Sequence, residues 1–454
     1  MSNWFAGIGQ AASGLNAARY GLSVVSQNIA NADTPGYTRQ SSVQATVGTG
    51  NVAAIHTTHT TTDTLGGVTV TGTQRSDDPV LDARVRSEHA RGALASTTSG
   101  TFSDIESLFP EPSDDGLGGQ LGDFWSAWSS VATDPGTSAT RGVLLQKANT
   151  VVATLHTMSS SLSDVVTQTS ADLDADMATA NTTAAQLADL NGQIAIGTAT
   201  GTNVNSLLDK RDQLLDTLSS TVGATATLAP NGTATVTVGG QTLVSGTTAA
   251  SMAADPSTHQ VSVSGTAVTL SASSAAARVT ALTTTLPGYQ SQLDAVANSL
   301  KSMVNSVQGS GYDLNGAAGT DMFSGSGAAG ITVAITDPSK IAASATPGGT
   351  LDGSNALAAS RQGTATNGPD ATYTALVGDV AGASALAQQQ ASTQASVVSN
   401  VDDLKASVSG VNYDEEVSTM LVYQRSFQAS SRVLTTLDDM LDTLINHTGH
   451  VGLA

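Results

Sequence analysis

A chain of 454 residues is too long for one hydrophobic core and allows two to four domains. With 39% hydrophobic but only 4% aromatic residues, it favours thin helical bundles and small sheets, and therefore an elongated molecule. A formal charge of −20 argues against nucleic-acid and anionic-membrane partners, and the lack of cysteine excludes disulfides, thiol catalysis and cysteine-bound metals.

The first basic residue is Arg19, so no basic n-region precedes an apolar core, and no run reaches the roughly 18 apolar residues of a membrane span. The expectation is a soluble chain, or one exported without cleavage. From the amino terminus, Trp4, Ile8, Ala11, Leu15, Ala18, Leu22, Val25 and Ile29 alternate steps of four and three. This heptad seam predicts a helix about 39 Å long with an apolar stripe in need of a partner. Asn31-Ala32-Asp33-Thr34-Pro35-Gly36-Tyr37 follows at once. Pro35 fixes φ and Gly36 accepts positive φ, which predicts a type II turn, with Asn31 and Asp33 bonding freed backbone groups.

Residues 41 to 75 are rich in Thr and Val, with Val68 and Val70 alternating with Thr69 and Thr71, and read as short strands, and 77 to 220 return to helix. There Leu144, Ala148, Val151, Leu155, Met158, Leu162 and Val165 share one seam. Pro110, Pro112 and Gly116, Gly118, Gly119 mark one loop, and Asp134-Pro135-Gly136 another. From 222 to 272 the period changes to two. TATVTV and QTLV flank Gly239-Gly240, VSV and TAVTL flank Ser264-Gly265, and two hairpins are predicted. Helix resumes at Ala275, a Gly-rich region with short strands such as ITVAI fills 309 to 375, and helix runs from about 376. At the far end Met420, Tyr423, Phe427, Ser430, Leu434, Leu437, Leu441 and Leu444 repeat the opening alternation, Ser430 being the polar exception. Two matched seams at opposite ends predict that the ends pack on each other, or on the ends of neighbouring molecules.

Enzymatic patterns fail on their context. Gly325, Gly327 and Gly330 fit G-x-G-x-x-G, but the strand-like ITVAI comes after them, whereas a dinucleotide site needs strand, glycines and helix in that order. Asp172, Asp174 and Asp176 imitate an EF-hand start with Met177 where Gly is required, and read as a solvated helix face. Asp313, Asn315 and Gly316 read as a tight polar turn. His56 with His59 and His447 with His450 lack a third ligand, and Glu415-Glu416 and Asp438-Asp439 read as solvated faces. Neither a catalytic residue, a cofactor nor a metal is expected.

NIANADTPGYTRQ after an amphipathic helix resembles the signature of the bacterial flagellar rod, hook and hook-associated protein family, and VNYDEEVSTMLVYQRSFQASSRVLTTLDDMLDTLIN resembles that family's carboxyl-terminal domain. The interior stretches SLLDKRDQLLDTLSSTVG and GYDLNGAAGTDMF are similar to its hook-associated members. The resemblance implies a mainly α fold with β insertions. Residues 1–60 and 411–454 would form an inner coiled-coil tube, 61–221 and 275–410 a helical middle, and 222–274 an outward β-domain. It implies a structural protein, not an enzyme, exported by the flagellar type III pathway and polymerising extracellularly between hook and filament. Its partners would be copies of itself, the hook protein, a second hook-associated protein and an export chaperone. Asn31, Thr34, Pro35, Gly36 and Tyr37 would form the family turn. Alternatives from the same residues are a hook or rod protein, and more remotely an exported enzyme with a site in 222–375.

Overall fold

The computed structural model describes residues 2–47, 66–113, 115–348 and 351–447, the side chains of 2–6 and 447 aside. Helix α1 (Ser2–Ala30) leads through the turn into an antiparallel ribbon, β1 (Gln40–Thr46) with β2 (Val68–Arg75). Four helices follow: α2 (Pro79–Ser107), α3 (Leu117–Thr133), α4 (Ser138–Thr200) and α5 (Asn205–Val222). Seven strands come next, β3 (Thr225–Leu228), β4 (Ala234–Val238), β5 (Gln241–Ser245), β6 (Thr248–Ala249), β7 (Met252–Ala254), β8 (Val261–Val263) and β9 (Thr266–Ala267). Helix α6 (Ser274–Thr280) runs through a π-turn, Ala281–Thr285, into α7 (Leu286–Ser310). The remainder comprises β10 (Phe323–Ser324), α8 (Gly327–Gly330), β11 (Thr332–Val333), α9 (Ser354–Ser360), α10 (Pro369–Ser409) and α11 (Tyr413–Asp442). The accessible surface of 23,330 Å² is about one and a half times that of a compact globule of this mass, so the molecule is elongated.

The body forms around α4. Its seam Leu144, Ala148, Val151 and Leu155 is fully buried against α3, where Leu121, Phe124 and Trp128 are equally enclosed, and α7 adds Leu293, Ala297 and Leu300. The far half of α4 carries the β insert. Asn181 exchanges hydrogen bonds with the backbone of Met252 (2.7 and 2.9 Å), and Asn191 binds Ala234 N and O and Gly246 O at 2.8 to 2.9 Å. These amides satisfy strand backbone that would otherwise be buried without partners. The insert is two sheets, ordered β3-β4-β5-β6 and β7-β8-β9. Gly239 and Gly240 both hold positive φ (54° and 82°), as do Ser264 and Gly265 (48° and 80°), which is the backbone that two-residue hairpins demand.

Several sequence expectations need correction. The ribbon pairs 40–46 with 68–75, on either side of the boundary expected at 60, which itself lies outside the described residues. Gly118 and Gly119 belong to the first turn of α3 rather than to the loop, because the Glu111 carboxylate accepts from Gly118 N at 3.0 Å and caps that helix. Of TAVTL only Thr266 and Ala267 form strand. Asp176 does not simply solvate α4: with Asp172 it faces Arg278 of α6, and burial raises its pKa against that pairing.

Candidate assembly interface

Helix α1 ends where its side chains begin to bond the chain that returns past it. Tyr37 N donates to Thr34 O (3.1 Å) across Pro35 and Gly36, with Gly36 at φ +75°, as a type II turn requires. Asn31 Nδ2 donates to Gln27 O (2.9 Å) and Thr34 Oγ1 to Asn31 Oδ1 (3.3 Å), while Asp33 lies exposed. The centre of the corner is Asn28, 1% exposed. Its Nδ2 donates to Gln40 O (2.8 Å) and Glu416 Oε2 (3.0 Å), and its Oδ1 accepts from Tyr37 Oη (2.8 Å) and Gln40 N (3.0 Å). All four hydrogen-bonding positions of the amide are therefore used. Burial, and then Asp209 and Glu416, push the Tyr37 phenol up to about 12, so it remains a donor.

Glu416 is 2% exposed and not on a solvated face. Beyond Asn28 it accepts from Arg39 Nε at 2.7 Å, and Arg39 Nη1 reaches Glu415 at 2.9 Å. Asn412 caps α11 by accepting from Asp414 N and Glu415 N. Thus the two terminal motifs, 388 positions apart at Asn28 and Glu416, meet in one buried network.

Helix α5 grips the same corner. Gln213 Nε2 donates to Pro35 O (2.5 Å), Asn205 Nδ2 to Gln40 Oε1 (2.9 Å), and Arg75 Nη2 lies 2.8 Å from Asp212, 2.9 Å from Asp209 and 3.0 Å from Thr38 Oγ1. Burial raises the Asp209 carboxyl while Arg75 opposes that shift. His89 of α2 bonds Asp216 of α5 and Asp402 of α10, each at 2.8 Å, and the Asp216 bond leads in raising its pKa to about 9. A cleft of about 560 Å³ runs past these residues, and the charges of Arg75, His89 and Lys405 in it are matched by carboxylates.

Beyond the corner α1 and α11 run antiparallel. Glycines at 7, 14 and 21 stand opposite residues 437, 430 and 423. A methyl group at Gly21 would collide with the Tyr423 ring, one at Gly14 would lie 3.1 Å from Ser430 Oγ, and one at Gly7 would lie 3.6 Å from Leu437. Asn28 with Glu416 continues this seven-residue ladder. The contact line on α1 is therefore rotated from the expected stripe. Ala11, Ala18 and Val25 are buried, Ile8, Leu15, Leu22 and Ile29 are half-buried on its flank, and Trp4 has no described side chain. Large residues on α11 need small ones opposite, which the spacing of apolar residues does not reveal. On α11, Met420, Tyr423, Phe427, Ser430, Leu434, Leu437 and Leu441 are half-buried and Leu444 is exposed. The ribbon packs on α1, Val68 N donating to Ser13 Oγ at 3.1 Å.

The other singled-out groups do not converge on chemistry. Gly325 to Gly330 contains the one-turn α8, not only a loop, and its N–H groups are already taken: Gly327 N by Asn298 (3.1 Å) and Ala328 N by Asp294 (2.6 Å). A phosphate would find those donors occupied. Asp313 Oδ1 closes its turn on Asn315 N and Ala317 N, both at 2.9 Å. His56, His59 and His450 lie outside the described residues. Among the described residues no group of three or more His, Asp or Glu could hold a metal ion, and no helix is long and apolar enough to cross a membrane.

A helical body with a β insert, and two chain ends locked at one corner, define an elongated assembly subunit. Residues 102–323 match the family model "Flagellar hook-associated protein FlgK helical domain", 10–38 match "Flagella basal body rod protein", and 405–447 match "Flagellar basal body rod FlgEFG protein C-terminal". The chain is 26% identical to flagellar hook-associated protein 1 of Escherichia coli (strain K12), over 97% of this chain and 99% of that one. It is 28% identical to the protein of that name from Bacillus subtilis (strain 168), over 99% of each, and 30% identical to that of Salmonella typhimurium, over 70% of this chain and 59% of that one. The structure of the flagellar hook junction protein FlgK from Burkholderia pseudomallei superposes with a TM-score of 0.65 at 16% identity, covering 72% of this chain and 100% of that one, and shares the fold. The chain belongs to the FlgK family of flagellar hook-associated proteins.

Proposed function

We propose that this chain is a structural subunit of the bacterial flagellum, exported by the type III pathway and polymerised between hook and filament. The observation that carries the reading is the corner where Asn28, Tyr37, Arg39 and Glu416 join both terminal motifs, beside helices whose apolar faces are only half covered. A long amphipathic pair with half its apolar surface wet is suited to completion by neighbours. The turn Asn31, Thr34, Pro35, Gly36, Tyr37 is the bend at which an inner-tube helix hands the chain to the outer domains. Copies of the chain are the lateral partners, the hook protein and a second hook-associated protein lie axially on either side, and an export chaperone is a further partner before secretion. The role is structural rather than enzymatic and is exercised outside the cell.

Deletion of the gene followed by electron microscopy tests this. Hooks without filaments, with flagellin lost to the medium, are expected. Missing hooks would make the chain a hook or rod protein, and normal filaments would refute the assignment.

A further inference from the structure

The terminal pair and its ribbon share no hydrophobic core with the body. Helix α1 packs on α11, β1 and β2, whereas the apolar core that runs from Ile105 to Val380 contains no residue of these four elements among the described residues. What crosses the joint is polar and comes mostly from α5 and the residues leading into it. Asn203 and Asn205 donate through Nδ2 to Thr73 Oγ1 (2.7 and 3.0 Å), Gln213 reaches Pro35 O, and Arg75 Nη2 sits between Asp209 and Asp212. The end of α10 contributes Ser409 O, which accepts from Arg39 N at 2.9 Å. Two short connectors carry the chain across, 76–78 and 410–412. The second turns tightly, since a Cβ at Gly410 would lie 2.3 Å from Ala406 O. The cleft described above separates Pro35 and Gly36 from α2 and α10.

The Arg75 cluster is closed but incompletely satisfied. The Arg75 side chain is 5% exposed, yet its Nε has no hydrogen-bond partner among the described residues, and neither has Asp209 Oδ1, although Arg75 Nη2 lies 2.9 Å from it. A buried donor and a buried acceptor left in this way carry a desolvation cost that exposure to water removes. Asp212 would lose little by release, because Arg211 holds it from within α5 at 2.6 Å. An interface without a shared apolar core permits motion between the parts it joins. We propose that the terminal unit of α1, ribbon and α11 is hinged at the two connectors, with Arg75 on Asp209 and Asp212 as its latch. When the latch opens the unit swings about the connectors, with the cleft as free space on one side. The latch thereby sets the angle at which the terminal helices leave the body. The proposal goes beyond the assembly role above and concerns the free chain.

Double electron–electron resonance on the full-length chain tests this, with spin labels on Gln44→Cys in the ribbon and Gln186→Cys in α4, in a sequence without native cysteine. The parent should give one narrow distance. Arg75→Gln should put about half of the molecules or more into a second, displaced peak. Asp216→Asn, which weakens the bond between α5 and His89 of α2 inside the body, should match the parent. A second label pair, Gln186→Cys with Gln390→Cys of α10, should keep one distance in every variant, because the body stays folded. One narrow ribbon distance in Arg75→Gln would overturn the latch, as would a broad one in the parent. An equal second peak in Asp216→Asn, or a changed distance within the body, would overturn the hinge. None of these outcomes bears on the assembly role, which the deletion experiment decides.

Discussion

The body around α4 and the α1–α11 pair are both built of long helices on heptad spacing, yet different forces hold them. In the body Leu144, Val151 and Leu155 reach zero exposure among aromatic neighbours. In the pair the only side chain that α11 buries, among the described residues, is Glu416, a carboxylate, and its apolar seam remains half wet. The body is complete in one chain. The pair is aligned by a polar lock and by glycines, and keeps apolar surface in reserve.

That contrast can be broken at graded strength. Leu155→Ala should cost about 3 kcal/mol in urea melts, because it leaves a cavity in a closed core. Leu437→Ala should cost under about 1 kcal/mol in the same assay, since little area is lost from a half-exposed site, although Leu437→Asp should block incorporation into flagella. A seam leucine as costly as Leu155 would erase the distinction.

Glu416→Ala leaves one of the two Asn28 Nδ2 hydrogens and Arg39 Nε without their acceptor and should destabilise the corner by about 2 kcal/mol. Protease nicking near Ser409 and the 30–40 segment should rise while the body stays resistant. Gly21→Ala should cost about 1 to 2 kcal/mol of pairing, because the Tyr423 ring must move. Cross-linking between introduced cysteines at positions 14 and 430 would report the lost register, in a chain that has no native cysteine.

A small, pH-dependent effect is expected at His89. Its pKa is raised from 6.5 to about 9, so the bridge to Asp216 and Asp402 contributes fully below pH 6.5 and is lost as pH rises through 9. Because the ring is partly exposed, the contribution is on the order of 1 kcal/mol after screening. Melting temperature between pH 6 and 10 should fall more steeply for the parent than for His89→Gln. Parallel curves would remove the bridge.

Periodicity made much of this fold legible. The two terminal helices, the body seam of α4 and the insert's turns follow from spacing and from residues placed where positive φ is needed. The corner was legible only as a turn. Its partners Asn205, Asp209, Asp212 and Gln213 lie some 170 residues beyond it, and nothing local in α5 marks them as facing Pro35 and Gln40. Glu416 looked like half of a solvated pair because burial depends on Asn28 and Arg39, far off in sequence. The glycines at 7, 14 and 21 carried the one overlooked signal. Heptad spacing among residues without side chains marks where another helix comes close, whereas a search for apolar residues selects the flank.

Hydrogen exchange across α1 in the purified monomer and in assembled flagella is the most direct test. If the pair holds its apolar surface for neighbours, amides of residues 4 to 29 should exchange far faster than those of α4 in the monomer and become protected on assembly. Monomer protection across α1 equal to that of α4 would contradict it.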